Sequence, residues 1–425
     1  MQQPIQRLTH LQLALIVAIA LVTNFLYLHL SCGNFFFPDS ATYLIPARNL
    51  LHGLGFVSEP GVAETLRTPG YPLFLLPFVA LTSSVLPIIV VQHLLNVILA
   101  ATAGVVACAL TRSRMAGVAS GLILAIDTPT IHYANKVLTE NLFTAVLFVL
   151  LLFFWRVIHT RGGLLLPILS GMICGVLVLI RPVAILYFIV PLAVFAMARI
   201  GARRIVAFTI AALLIPLGWG VRNRVETGVF TIASIAGTNM LLYRAAGALA
   251  IEDGGEFRND LAAEQQTLER QADVEIVREE EQPLNELAHA VKAQHYSRIG
   301  THIVLQHPAA YSWLTLRGLL ILTFESDWEA AMIVSSVHGS IVELVISGWT
   351  AILFPLALIG LAFLWRRDRL AALLLGGTLL YFFAMSAGAE SEARFRVPVM
   401  PEYAIAVGIG LSAIVQAIRF APREH

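Results

Sequence analysis

Long apolar runs almost free of charge recur along this chain, and no other feature limits its fold as much. A helix that crosses a bilayer needs about 20 predominantly apolar residues. The stretches 11–30, 85–110, 137–155, 164–180, 182–198, 205–221, 343–365, 370–388 and 397–418 qualify. Residues 115–126 are shorter, but Arg112 and Arg114 precede them and Asp127 and His132 follow, so they read as a tenth span. Composition agrees: 58% of residues are hydrophobic and only 13% charged, against about 25% charged in an ordinary soluble chain. That excludes a soluble globular enzyme and a disordered scaffold, and it argues against a nucleic-acid partner. The predicted class is an all-α polytopic membrane protein with about ten transmembrane helices. The three cysteines cannot frame a disulfide fold; Cys108 and Cys174 lie inside apolar runs as small core residues. Only Arg7 precedes the first run, and His29-Leu30-Ser31 before Cys32 is not a lipoprotein cleavage pattern. An uncleaved first span is therefore expected.

Arginine placement gives a direction. Arg7, Arg112, Arg114, Arg156, Arg161, Arg199, Arg203, Arg204, Arg366, Arg367, Arg369, Arg419 and Arg423 all fall on one side if there are ten crossings. By the positive-inside rule that side is cytoplasmic, with both termini on it. Of the acidic residues only Asp368 and Glu424 share it. A crossing by the short apolar run 311–324, which contains Arg317, would break this pattern, so that run is expected to be interfacial or re-entrant. The chain then divides into a first membrane region, residues 1–221, a periplasmic cap with its interfacial helix, 222–342, and a second membrane region, 343–425. The first outer loop is 31–84. Residues 251–298 carry twelve acids and five bases, which reads as a solvated face. Leu284, Leu287, Ala288, Val291, Ile299 and Ile303 suggest one amphipathic helix, and 251–310 a small helical cap.

The informative residues are polar groups near outer span ends, where ionisable side chains are costly and tend to be functional. Arg48, Arg67, Lys136, Arg181, Arg222, Arg224, Arg244, Arg317, Arg394 and Arg396 form such a set. One at a time they could snorkel or pair with carboxylates; together they point to an anion-binding site on the outer face. Pro38-Asp39-Ser40 follows the aromatic run Phe35-Phe36-Phe37, and Asp39 has a plain alternative as a helix-start residue. Arg67-Thr68-Pro69-Gly70-Tyr71-Pro72 makes a stiff turn that carries an Arg and a Tyr. Glu140, four residues after Lys136, is either half of a local pair or a second site carboxylate. Arg181-Pro182, Arg222-Asn223 after Trp219, and Arg394-Phe395-Arg396-Val397-Pro398 mark three further outer helix ends. No HExxH, nucleotide-binding glycine loop or serine elbow occurs, and His295, His302 and His307 read as surface histidines rather than a zinc site.

These motifs together resemble the GT-C superfamily of integral-membrane glycosyltransferases, in its family 39-like branch of protein O-mannosyltransferases and lipid A aminoarabinose transferases. The resemblance covers nearly the whole chain and also includes Tyr43 and Gly53, Thr139-Glu140-Asn141 and His307-Pro308. It implies a GT-C-type fold in a bacterial inner membrane, facing the periplasm. It also implies transfer of one sugar, with inversion, from a polyprenyl-phosphate carrier to an acceptor. Asp39 and Glu140 are then the catalytic carboxylates, and Arg67, Arg181, Arg222, Arg394 and Arg396 hold the donor phosphate. Tyr43, Tyr71 and Asn223 contact substrate. A divalent cation is the one cofactor left open. The single acid after Pro38 and the lack of a large domain after the last span favour a lipid or glycan acceptor over a protein. The chemistry agrees: a phosphate leaving group wants cations, and an acceptor hydroxyl wants a base. A flippase of lipid-linked sugars, a glycan ligase and an assembly subunit are the alternatives. The flippase would favour polar groups at mid-membrane, and the subunit gives the arginines no purpose.

Overall fold

The computed structural model describes residues 7–325 and 339–420. Residues 326–338 of the expected outer segment, and Arg423 with Glu424, lie outside the described residues. The chain is a multi-pass membrane protein. Seven helices are long and apolar enough to cross: His10–Leu30, Leu86–Thr111, Glu140–His159, Ala202–Thr227, Ser347–Arg367, Arg369–Ser386 and Ala393–Arg419. Arg114–Ala125, Leu165–Ile180 and Pro182–Met197 are shorter apolar segments and correspond to the other three expected spans. Pro308–Phe324, covering 311–324, is a helix of 17 residues with Trp313 and Leu320 exposed.

Small residues let the membrane helices approach closely, as van der Waals packing between helices in lipid requires. A side chain on Gly171 would strike the Phe208 carbonyl and Ala211, so the helices Leu165–Ile180 and Ala202–Thr227 pack backbone to backbone. Thr9 starts the first helix with a capping box, its hydroxyl accepting from the Gln12 N–H at 3.2 Å. Polar side chains fix the outer end of Leu86–Thr111. Gln92 donates to the carbonyls of Ala134 and Lys136, at 2.8 and 2.7 Å, and accepts from the Tyr71 hydroxyl at 2.9 Å.

The segment after the first membrane helix is two helices, Ser40–Leu51 and Gly70–Leu81, around a hairpin that pairs Val57–Glu59 with Val62–Ala63. It has its own core, in which Tyr43, Leu44, Tyr71 and Leu75 pack against Ile88, Ile89 and Val137. Gly70 is needed as glycine: an added Cβ would press into the backbone of Leu179 and Ile180. That close approach sets the Arg67 turn beside Arg181.

The cap begins earlier than residue 251. A rod runs through Ile235–Asn239, a π-helical stretch Met240–Ala245, and Ala246–Asp253. Leu241, Ala245 and Ala246 of this rod share a core with Leu268, Ala272 and Ile276 of helix Phe257–Glu280 and with Tyr296. The expected single amphipathic helix over 284–303 starts at His289, and Leu284 and Leu287 pack from the turn before it. His295 is not a surface histidine. It is 9% exposed, with Nε2 2.6 Å from a Glu280 oxygen and Nδ1 3.4 Å from one of Glu279, and it clasps two cap helices.

Candidate active site

Three arginines and two carboxylates from separate segments converge on a cavity of about 1280 Å³ or lie directly behind it. Asp39 precedes helix Ser40–Leu51 but does not cap it: no hydrogen bond runs from its side chain to the helix end. The backbone is held by others, with Ser40 Oγ accepting from the Phe37 N–H at 2.9 Å and Thr42 Oγ1 donating to the Asp39 carbonyl at 2.7 Å. The carboxylate turns to two guanidiniums instead. Oδ1 accepts from Arg67 Nη2 at 2.8 Å and Oδ2 from Arg394 Nη1 at 3.1 Å.

Glu140 opens helix Glu140–His159 and is fully buried. One of its oxygens takes Arg181 Nη1 at 2.7 Å and also Arg394 Nε. Arg394 therefore bridges the two carboxylates. Exposure falls from 31% at the Asp39 side chain to 14% at Arg67, 13% at Arg181, 8% at Arg394 and nothing at Glu140. Asp39 faces the cavity; Glu140 is sealed behind the arginines. Lys136 bonds Asn34 Oδ1 at 3.0 Å.

Aromatic rings orient the cations, as expected where guanidinium faces are desolvated. Arg67 lies 4.9 Å from the Tyr43 ring centroid, Arg394 4.8 Å from Phe37, and Arg181 5.7 Å from Phe395. Arg67 also donates through Nε to Thr42 Oγ1 at 2.9 Å, and its backbone N–H donates to Glu64 Oε1 at 3.0 Å. Burial pushes the Tyr43 phenol up, against the pull of Arg67, so it stays a hydrogen-bond donor at the cavity wall. Burial likewise raises the Glu64 carboxyl. Arg67 Nη1, Arg394 Nη2, and Arg181 Nε and Nη2 make no hydrogen bond among the described residues, so each guanidinium keeps a donor while holding its carboxylate.

Four residues expected at the site lie elsewhere. Arg222 gives Nη1 to the Glu64 carbonyl at 2.9 Å and Nη2 to the Phe56 carbonyl at 2.8 Å, and it sits over Trp219. It fastens the first loop to helix Ala202–Thr227. Asn223 bonds the Thr231 carbonyl at 2.7 Å and serves the same staple. Arg396 points away from Arg394, since residues two apart in a helical turn do not share a face; its Nη1 donates to the Leu322 carbonyl at 2.9 Å, at the end of helix Pro308–Phe324. Tyr71 is buried behind Tyr43, edge-on at 5.3 Å. None of the four lines the cavity.

Tyr243 and Arg244, brought to the cavity wall by the π-helical stretch, were not expected at the site. The sequence signal for Arg244 was its place in the outer cation set. It pairs with Glu390 at 2.8 Å and donates to the carbonyls of Met385, at 2.9 Å, and Ala387. A divalent cation does not fit these residues. Glu140 is sealed, and among the described residues no three His, Cys, Asp or Glu side chains gather to hold a metal.

The fold is shared with solved structures. The Archaeoglobus fulgidus oligosaccharyltransferase, in complex with Zn and sulfate, superimposes with a TM-score of 0.53 at 12% identity, over 96% of this chain and 50% of that one. The same enzyme tethered to an acceptor peptide gives 0.50 at 13%, over 95% and 50%. Against ArnT from Cupriavidus metallidurans, bound to undecaprenyl phosphate, the TM-score is 0.40 at 13% identity, over 95% and 78%. The chain thus spans about half the length of the oligosaccharyltransferase structures it matches. At these identities the likeness is one of fold: the chain shares the fold of the oligosaccharyltransferase structures. No protein-family model matches the sequence, and no curated protein does.

Proposed function

We propose that the protein is an inverting glycosyltransferase. It moves a single sugar from a polyprenyl-phosphate carrier to a lipid or glycan acceptor at the periplasmic face of a bacterial inner membrane. One observation carries this reading: Asp39, the carboxylate that faces the cavity, is held between Arg67 and Arg394, and both guanidiniums keep free N–H donors. Three arginines against two carboxylates leave the cluster one positive charge in excess, which suits a phosphate leaving group. A departing phosphate is already a good anion, so no general acid is required. The acceptor hydroxyl loses its proton to Asp39 as its oxygen attacks the anomeric carbon from the side opposite the phosphate, and one displacement inverts that centre. Such a base contributes about 10²–10⁴-fold. Glu140 touches no substrate in this scheme and acts by positioning Arg181 and Arg394.

Purified protein incubated with polyprenyl-phosphate sugars and membrane-lipid or glycan acceptors tests the reading. Sugar should leave the carrier with the unaltered chain and not with Asp39→Asn, which should still bind carrier lipid. Turnover by Asp39→Asn near that of the unaltered chain refutes the role. Carrier that is bound and moved across vesicles without loss of sugar makes the protein a flippase.

A further inference from the structure

Six arginines line the cavity: Arg67, Arg181, Arg244, Arg258, Arg317 and Arg394. Four are neutralised, Arg67 by Asp39, Arg181 by Glu140, Arg394 by both, and Arg244 by Glu390. Arg258 and Arg317 have no ion pair or hydrogen bond to a side chain among the described residues. They reach the same wall from different elements, Arg258 from cap helix Phe257–Glu280 and Arg317 from Pro308–Phe324. The two are close enough to repel one another, though the charge of Glu325 acts on Arg317 more strongly than that of Arg258 does. The carboxyl near them, Glu325, forms no ion pair with either and accepts instead from the Ala393 N–H at 3.2 Å.

Arg317 is the more telling of the two. It interrupts an apolar helix and is half-buried, where an unpaired cation is costly. Its guanidinium carbon lies 3.9 Å from the Phe257 ring centroid. Stacking covers one face and leaves the N–H edges free, the geometry that takes an oxyanion in bidentate fashion. Arg258, next to Phe257, stands beside it. Along the same helix Leu261, Ala262, Gln265, Gln266 and Glu269 recur at helical spacing on the cavity side and make a largely polar roof.

We propose that Arg258 and Arg317 form a second anion subsite, on the cap side of the cavity, that holds a phosphate or carboxylate group of the acceptor. The assignment to the acceptor rests on the transferase reading, which gives the donor phosphate to Arg67, Arg181 and Arg394; a second anion in the same cavity then belongs to the other substrate.

Calorimetric titration of the full chain in detergent tests it, with decaprenyl phosphate as the donor-site probe and inorganic phosphate as the second probe. With decaprenyl phosphate saturating, the unaltered protein should still bind one equivalent of phosphate. Arg258→Gln with Arg317→Met should weaken that binding about tenfold or more and change decaprenyl phosphate affinity less than twofold. Arg258→Gln alone, at an exposed position, should weaken it in the same direction and guards against misfolding of the double variant. Competition by glucuronate identifies a glycan carboxylate, and competition by phosphatidylglycerol in nanodiscs a lipid phosphate; either supports the subsite, and competition by neither overturns it. Loss of phosphate binding once decaprenyl phosphate is present overturns it, as does a matching loss of decaprenyl phosphate affinity in the variants. Failure of the unaltered chain to bind decaprenyl phosphate sinks the transferase reading, and the assignment to an acceptor with it.

Discussion

Replacing Glu140 with glutamine separates positioning from catalysis. Glu140 is fully buried and neutralises Arg181 and Arg394, which are themselves 13% and 8% exposed. Removing one member of a buried ion pair costs about 3–5 kcal/mol, because the remaining charge is left uncompensated. Here two guanidiniums lose their partner, and Arg394 keeps only Asp39. Glu140→Gln should therefore lower stability by an amount in that range. Asp39→Asn should cost about 0–1 kcal/mol, because Asp39 is nearly a third exposed and partly screened, yet it should lose more activity. The assay uses chemistry already in the fold. Cys108 and Cys174 are buried and Cys32 is exposed, so in a Cys32→Ser background a thiol-reactive dye reports thermal unfolding. Adding Arg394→Gln to Glu140→Gln should recover part of the loss, a coupling of about 0.5–3 kcal/mol. If Glu140→Gln unfolds like the parent and is as inactive as Asp39→Asn, the carboxylate acts on substrate and the positioning account is wrong.

Arg222→Ala should leave carrier-lipid affinity unchanged and cost about 1–3 kcal/mol, since it removes charge-assisted bonds to the Glu64 and Phe56 carbonyls. Faster proteolysis of 52–66 would register the loosened loop, and a large loss of carrier affinity would contradict the staple role. Glu64 has its carboxyl raised by burial, so its contribution to stability is full below the unfolded value near 4.5 and is lost as pH rises through the raised folded value. Glu64→Gln should flatten the decline that sets in above the ordinary value of 4.5, and unfolding curves that fall in parallel would count against it. In a chain lacking its own cysteines, new ones at Ser58 and Gln271 should react with an impermeant maleimide from the periplasmic side, and one at Ser113 should not; the reverse pattern would put the cavity on the cytoplasmic face.

Polar residues at the outer ends of apolar runs were readable as a set because lipid tolerates few of them. Asp39, Arg67, Glu140, Arg181 and Arg394 come together from segments up to 355 residues apart. What the sequence could not tell was the partner of each arginine. Arg67 and Arg222 look alike in sequence, both in outer polar segments beside aromatics. One meets carboxylate and the other meets backbone carbonyl, and only the packing of the hairpin against helix Ala202–Thr227 decides which. Arg394 and Arg396 belong to one short motif and diverge because residues two apart in a helical turn do not face the same way. Tyr243 and Arg244 were hidden for a similar reason: a π-helical stretch shifts the register, so helical spacing read from either side misplaces them. The cap core went the same way, since Leu241 and Ala245 sit before the charged stretch that made the cap visible.

Helix ends bear on why Arg67 and Arg394 both take carboxylate partners. The N-terminus of a helix holds a partial positive charge and its C-terminus a partial negative one. Asp39 precedes helix Ser40–Leu51, and Glu140 is the first residue of Glu140–His159, so both carboxylates sit at favourable N-termini. Arg181 ends Leu165–Ile180, a favourable place for a cation. Arg67 and Arg394 are on the wrong end: Arg67 stands just before helix Gly70–Leu81, and Arg394 in the turn that leads into helix Met400–Phe420. Cations there need compensation from outside their own helices; Arg67 draws on Asp39, and Arg394 on Asp39 and Glu140 together. Arg394 thus ties the first loop to the last span. Its position depends on three segments meeting correctly, so the charge is set in place by folding rather than at the moment of reaction. In the proposed transfer, donors fixed in advance do not have to reorganise as charge develops on a leaving phosphate.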